Sequence, residues 1–288
     1  MDLQNAKTIN YQSTGTKDKL GLAYGQIEGT LIASALSQRL KNTNYIPERS
    51  SFKKAGTVAV RRFKNAVSQV YGTARAAGAG NVLQNNGVDV KIDTYREIAE
   101  EASAVDVAMY NNGSAAELLA SRSGAFAAAM AVELDNAYFV QLQTAASTVD
   151  LSSKTAIQDK VLLLVRTLED VSNENVDKVE RSNMVITIHP KFWDDLKSYI
   201  DTLPNPVAGG VAITSFHGVE ILAAPRQDVD ICIQYRGAVA QPVVLGEFKV
   251  FVPEFSEDNA AFMSYFYGTK AIMPDLCMKA ALEGTISV

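Results

Sequence analysis

The side chains best suited to chemistry are few in this chain of 288 residues: two histidines, His189 and His217, and two cysteines, Cys232 and Cys277. His189 stands before Pro190 at an expected strand-to-helix junction, and His217 before Gly218 in an expected turn. Either imidazole has the chemistry of a general base, yet neither comes with a motif that supplies a nucleophile. No Walker, GxSxG or HExxH pattern occurs. Two histidines and two widely separated cysteines give no zinc-ligand spacing. The stretch "GAGNVL" at 78–83 has two glycines of a dinucleotide fingerprint and lacks the third, which suits a hairpin tip better than phosphate binding. The acidic neighbours Asp194–Asp195 and Glu100–Glu101 fall in stretches read as helical. There, adjacent side chains point about 100° apart instead of converging. No catalytic, cofactor-binding or metal site is expected, and both cysteines are read as buried structural thiols in a reducing compartment.

The elements that would carry these residues have an uneven charge. Residues 1–80 hold 12 Lys and Arg against 4 Asp and Glu, a net +8; the remainder holds 15 against 28, a net −13. A basic front is compatible with nucleic-acid binding or with a basic arm lying on the acidic body of a neighbouring copy. The second reading is favoured, because "KKAGTVAVRRFK" lacks interleaved aromatics and no helix-turn-helix or zinc-finger spacing appears. An apolar content of 47% is ample for a packed core. The opening residues have no secretory-signal pattern, and no apolar run reaches the ~18 residues of a membrane span, so cytosolic synthesis is expected.

Along the chain, residues 1–54 read as a polar arm with a helical patch over 19–42. Residues 57–71 and 88–92 suggest an extended hairpin with a Gly/Ala-rich tip. Two-stranded ribbons are marginal alone in water, so this one must rest on something else. In "VDVKIDTYREIAEEASAVDVAMYN", residues 88–92 alternate as a strand. From Thr94 the apolar residues Tyr95, Ile98, Ala99, Ala102, Val105 and Met109 fall at helical spacing behind a Thr94–Glu97 capping box. A spine helix is expected over 114–146, capped by Ser114 and Glu117. Its apolar face is Leu119, Phe126, Met130, Leu134, Tyr138 and Leu142, its length roughly 50 Å, and Gly124 is a place for a bend. A third helix is expected over 155–173, capped by Thr155 and Gln158, with Ile157, Val161, Leu164, Leu168 and Val171 as its dry stripe. From 183 the texture is α/β: strand "NMVITI", then a helix opened by Pro190 that buries Phe192, Leu196 and Ile200. The loop "LPNPVAGG" follows, then two short strands about His217 and Gly218. Strands in "DICIQY" and "GEFKVFVP" and an aromatic-rich pair in "AAFMSYFYGTKAIMP" complete the chain.

This order of parts resembles the major capsid proteins of tailed bacteriophages, the Hong Kong 97 (HK97) fold. "VDVKIDTYREIAEEASAVDVA" looks like the return of that family's extended loop into its peripheral domain. "RSNMVITIHPKFWDDLKSYI" and "GVAITSFHGVEILAAPR" are similar to its axial-domain strand, helix and hairpin, and "YGTKAIMPD" to its closing strand. The likeness covers about residues 50–280. It implies an α+β fold with an N-terminal arm at 1–54 and an extended loop hairpin at 55–92. It further implies a peripheral domain at 93–150 and 247–268 and an α/β axial domain at 151–246 and 269–288.

The implied function is mechanical: a non-enzymatic shell protein, without cofactor, that assembles as pentamers and hexamers around phage double-stranded DNA. The implied partners are copies of itself, a separate scaffolding protein (no long helical segment precedes the arm), a portal, decoration proteins and non-specifically held DNA. The implied location is the virion capsid, assembled in the bacterial cytoplasm, with no membrane. Lys53, Lys54, Arg61, Arg62 and Lys64 at the base of the basic hairpin are expected to make intersubunit contacts. Alternatives are an encapsulin-like nanocompartment shell, a soluble α/β enzyme using His189 or His217, and a nucleic-acid binder using the basic front.

Overall fold

The structure is a computed structural model that describes residues 45–46, 56–63, 71, 85–103, 109, 122–173, 175–201, 215–246, 248–251 and 259–282. The expected patch at 19–42, the hairpin tip, "GAGNVL", the Ser114–Glu117 cap and "LPNPVAGG" lie outside them. Strands β1 (Tyr45–Ile46), β2 (Gly56–Phe63), β3 (Asn85–Ile92) and β4 (Thr94–Ala102) precede helix α1 (Ser123–Ala145). Then come β5 (Ser147–Thr148), α2 (Ile157–Glu169), β6 (Met184–Ile188) and α3 (Pro190–Asp201). The remainder is β7 (Ser215–Phe216), β8 (Val219–Ala223), β9 (Ile231–Tyr235), β10 (Val239–Leu245), β11 (Lys249–Phe251), β12 (Asn259–Tyr267), β13 (Lys270–Ala271) and β14 (Cys277–Ala280). Two units emerge: residues 1–56, 91–135 and 242–268 form one, and residues 57–90, 136–241 and 269–288 the other.

In the first unit β12 is the central strand. It pairs antiparallel with β4 along all nine residues, from Asn259 opposite Ala102 to Tyr267 opposite Thr94. Its other edge pairs with β11 (Lys249 opposite Phe262) and with β10 (Val243 opposite Tyr267). The helix expected from Thr94 is therefore a strand. The i, i+3, i+4 pattern of Tyr95, Ile98, Ala99 and Ala102 satisfied a helix locally, but a full ladder to β12, more than 150 positions away, satisfies the backbone instead. Burial alternates accordingly toward the strand's end: Ile98, Glu100 and Ala102 are covered while Glu97, Ala99 and Glu101 are exposed. Glu100 and Glu101 thus point to opposite faces of a sheet, a wider separation than the helical reading gave them. At Gly268, just past β12, an added Cβ would overlap the Lys91 carbonyl, so the close backbone approach there requires glycine.

Helix α1 spans 23 residues, about 34 Å. Phe126, Met130, Leu134, Tyr138 and Leu142 are all buried, as their spacing predicts, and Gly124 falls in its first turn. Phe126 meets Phe248 edge-on at 5.7 Å in the first unit.

The second unit is built on a sheet of order β5-β14-β9-β6-β8-β7. β6 and β8 run parallel around α3, and β9 runs antiparallel to both β6 and β14. All five residues of β6 are buried, the continuous apolar run of a strand covered on both faces. Val161, Leu164 and Leu168 of α2 and Phe192 and Leu196 of α3 join Ile186, Ile188, Ile221 and Ile233 in one core. α3 opens at Pro190 as expected, whereas α2 is shorter than the expected 155–173 and ends at Glu169, leaving Val171 beyond it. The residue at the α2 N-cap is Ala156, without a side-chain cap, and not Thr155. His217 (φ 49°) and Gly218 (φ 82°) form the tight turn between β7 and β8. Two successive positive φ values match the right-handed twist of a hairpin.

Four strands, β1, β5, β10 and β14, have no counterpart in the sequence expectations. β10 contains Pro242, which cannot donate to a ladder, and its carbonyl accepts from the Gly268 N–H at 3.3 Å. β14 was not recognised because it is only four residues long. The expected aromatic-rich pair also differs: β12 and β13 are both present, but each pairs with β10.

Candidate assembly surface

Four clusters of side chains stand out among the described residues. The first fixes the ribbon formed by β2 and β3. Arg62 of β2 donates from both terminal nitrogens to Asp275, at 2.7 and 2.8 Å, a bidentate pair joining residues 213 positions apart. Asn173 Nδ2 donates to the same carboxylate at 2.5 Å. Lys270 Nζ donates to the Asp89 carbonyl at 3.0 Å, a second tie between ribbon and body. Burial alone would raise the Asp275 pKa, but the Arg62 hydrogen bonds and charge, with Asn173, hold it below the ordinary carboxylate value. Arg62 Nε is buried with no hydrogen-bond partner, a cost set against the pair.

The second cluster clamps α1 to β4. Arg96 and Glu100 share one face of β4. Arg96 donates to Glu133 Oε1 (3.1 Å from Nε), and Arg122 forms a bidentate pair with Glu100 (2.7 and 2.8 Å). The Tyr267 hydroxyl also donates to Glu133 Oε1, at 2.8 Å. The opposite signs on each element, Arg then Glu on β4 and Arg then Glu toward α1, leave one favourable register. Burial, then the Glu133 charge, pushes the neighbouring Tyr265 up to about 12. Tyr267 is raised further by burial and by its bond to Glu133.

The third cluster stiffens the second unit. Glu169 receives two hydrogen bonds from Arg181, which first and foremost hold its carboxyl below its usual range, and Arg181 Nη1 also donates to the His217 carbonyl at 3.2 Å. Arg236 pairs with Glu220. In the interior, Gln227 accepts from Thr187 Oγ1 at 2.6 Å and donates to the Thr187 and Val229 carbonyls. Such a satisfied buried amide fixes the approach to β9. The Tyr138 hydroxyl donates to buried Gln234 at 2.7 Å.

The fourth comprises the residues first considered for chemistry. His189 Nδ1 accepts from the Lys191 N–H at 3.2 Å, so the imidazole caps α3, while the His189 backbone N–H donates to the Asp230 carbonyl at 2.8 Å. His217 is an exposed turn residue packed edge-on against Phe216, ring centroids 4.3 Å apart. Cys232 and Cys277 are free and buried on adjacent strands, as expected. Desolvation raises both thiols, Cys277 to about 12. Asp194 and Asp195 are exposed on α3. Among the described residues no three His, Cys, Asp or Glu side chains group as metal ligands, and no helix is long and apolar enough to cross a membrane.

Of the five basic residues expected at subunit contacts, Arg61 lies exposed on β2 and Arg62 turns inward to Asp275. Lys53, Lys54 and Lys64 lie outside the described residues. Asp275, Glu133 and the Arg122–Glu100 pair carry no sequence motif. Only the same-face spacing of Arg96 and Glu100 on a strand could have pointed to a clamp.

No protein-family model matches the chain, and no curated protein matches it. Solved structures do. A chain from Mycobacterium phage Che8 aligns with a TM-score of 0.57 at 17% identity, covering 80% of this chain and 85% of that one. The capsid of cyanophage P-SCSP1u gives 0.55 at 12% identity over 82% and 86%. A virus-like particle from Pyrococcus furiosus gives 0.52 at 12% identity over 86% and 97%. The chain has the α+β HK97-like capsid fold.

Proposed function

We propose that this chain is a structural major capsid protein, assembling as pentamers and hexamers into an icosahedral shell around phage double-stranded DNA. The observation that carries the reading is the shared fold with solved phage capsid chains over four-fifths or more of the sequence. The reading requires no catalytic group, and it gives the side-chain clusters a common purpose, that of fixing the ribbon and the elements within each unit in their local geometry. In it, residues 93–150 and 247–268 act as the peripheral domain, and residues 151–246 and 269–288 as the axial domain at the capsomer centre. Residues 1–54 and 55–92 reach neighbouring copies. Lys53, Lys54, Arg61 and Lys64 make intersubunit contacts, while Arg62 supports them by orienting the ribbon from within its own chain. Stability of the shell then comes from modest interfaces repeated many times.

The same reading places the protein in the virion capsid after assembly in the host cytoplasm, with a scaffolding protein, a portal and decoration proteins as partners. DNA is held without sequence preference. The test is to express the chain with its genomic neighbours, sediment the particles and treat them with nuclease. Closed particles protecting long double-stranded DNA are expected. Particles enclosing a cargo enzyme instead of DNA would replace this reading with that of a nanocompartment, and a chain that stays monomeric under every assembly condition would end both.

A further inference from the structure

Strand β4 lies at the margin of the first unit's sheet. One of its edges is paired with β12 along all nine residues, and among the described residues no strand pairs with the other. That open edge carries a row of backbone donors and acceptors about 30 Å long. Five of the nine side chains, Tyr95, Arg96, Glu97, Ala99 and Glu101, are exposed. Charges on such an edge ordinarily keep other strands away. Here they are placed so that the strand accepts its own reverse. In "TYREIAEEA", Arg96 and Glu100 stand two positions to either side of Ile98, so an antiparallel copy centred on Ile98 sets each Arg96 opposite a Glu100. Thr94 then meets Ala102, Tyr95 meets Glu101 and Glu97 meets Ala99, and no like charges are directly opposed.

We propose that the free edge of β4 pairs with β4 of a second copy, antiparallel about a two-fold axis at Ile98, joining the two first-unit sheets into one. Charge fixes the register. A two-fold axis normal to the sheet sets residues of the same face opposite each other, so the axis must pass at a residue. Centred on Glu97 or Glu100, it would oppose like carboxylates; on Arg96, two guanidinium groups; on Ala99, Glu97 and Glu101 twice over. Only Ile98 avoids all of these, and it brings two half-covered isoleucines together in the middle. Arg96 can serve both partners. Its side chain is 55% exposed, and its Nε and Nη2 both go to Glu133 Oε1, at 3.1 and 3.0 Å, which leaves Nη1 of the fork for a carboxylate of the second copy. Charges then alternate across the junction from Arg122 to Glu100, and on to Arg96 and Glu133 of the second copy. The inference stands on the edge and not on the shell reading: a free dimer would show the same contact, and in a shell it falls on two-fold axes.

The test places single cysteines on this edge of the full chain, whose own Cys232 and Cys277 are buried, and oxidises the purified dimers or particles mildly. Chains with Ile98→Cys should link to one another. Chains with Glu97→Cys and chains with Ala99→Cys, one of the two labelled with 15N, should stay unlinked alone and link when mixed, because Glu97 faces Ala99 and not itself. One of these two adjacent pairings is of the non-hydrogen-bonded kind, in which side chains come closest, so at least one of the two links must form. In parallel, Ala99→Glu sets carboxylates opposite Glu97 twice and should lower the association constant about tenfold, while Ala99→Lys should raise it about threefold. Both changes are at an exposed position and should leave the monomer's melting temperature in place. Self-linking of Glu97→Cys chains, no link at any of the three positions in dimers or shells, or Ala99→Glu and Ala99→Lys chains that associate alike would overturn the inference and leave the shell reading intact. A wild-type chain that never leaves the monomer sinks both.

Discussion

Removing Arg62 from the ribbon should loosen β2 and β3 without unfolding the body. Each charged hydrogen bond to Asp275, at 2.7 and 2.8 Å, would contribute about 1.5–3 kcal/mol if fully shielded. Two observations lower the sum. The Asp275 side chain is 34% exposed, which screens the pair, and the buried Arg62 Nε has no partner in the folded state. The net effect of Arg62→Ala is then about 2 kcal/mol, or about a 30-fold larger opening equilibrium for the ribbon. Asp275→Asn, which keeps an acceptor for Arg62 and loses the charge, should cost about half as much. Native-state hydrogen exchange of the β2 and β3 amides reads this directly. A cycle of Arg62→Ala, Asp275→Ala and the double variant isolates the coupling. The pH dependence follows from the direction of the shift. A carboxyl held below its usual 3.8 contributes its full stabilisation above that pH and loses it as pH falls through the lowered value. Exchange in Arg62→Ala within about threefold of wild type, or a coupling near zero, would refute the assignment of the ribbon's anchor.

Other expectations concern the remaining clusters. Gly268→Ala should cost more than about 2 kcal/mol in chemical denaturation, because the new methyl would meet the Lys91 carbonyl and the backbone must move. Tyr267→Phe, which removes the donor to Glu133, should cost about 1 kcal/mol by the same measurement. Tyr265, raised to about 12 from 10.0, adds stability that is whole below pH 10 and declines as pH rises through about 12; a spectroscopic titration should show it ionising late. Cys232 and Cys277 should react with a thiol reagent only after denaturant is added, since burial raises both thiols.

What the sequence revealed and what it withheld divide along contact distance. α2, β6, α3 and the β7–β8 turn were legible because their signals are local: a dry stripe at helical spacing, an apolar run, Pro190 at a first turn, and His217–Gly218 in a hairpin. The segment from Thr94 was misread for the converse reason. Its apolar spacing and capping box suited a helix, and only the nine-residue ladder with β12 decides for a strand. β10 had no counterpart among the expected strands; it carries Pro242, whose missing N–H is tolerated at one position of a strand that is otherwise well paired. The anchor Asp275 was unreadable, since nothing near it in the chain announces an arginine 213 positions away. The histidines looked like the chemical residues and turned out to cap a helix and shape a turn. The ionic clusters that hold the parts together lie at residues that sequence alone treats as ordinary surface.

The most direct test of the account is electron cryomicroscopy of the purified, assembled chain. The account predicts closed shells whose five- and six-fold rings accept the two units, with the β2–β3 ribbon of each copy lying on an adjoining copy. Discrete monomers, or particles in which each ribbon touches only its own chain, would contradict it.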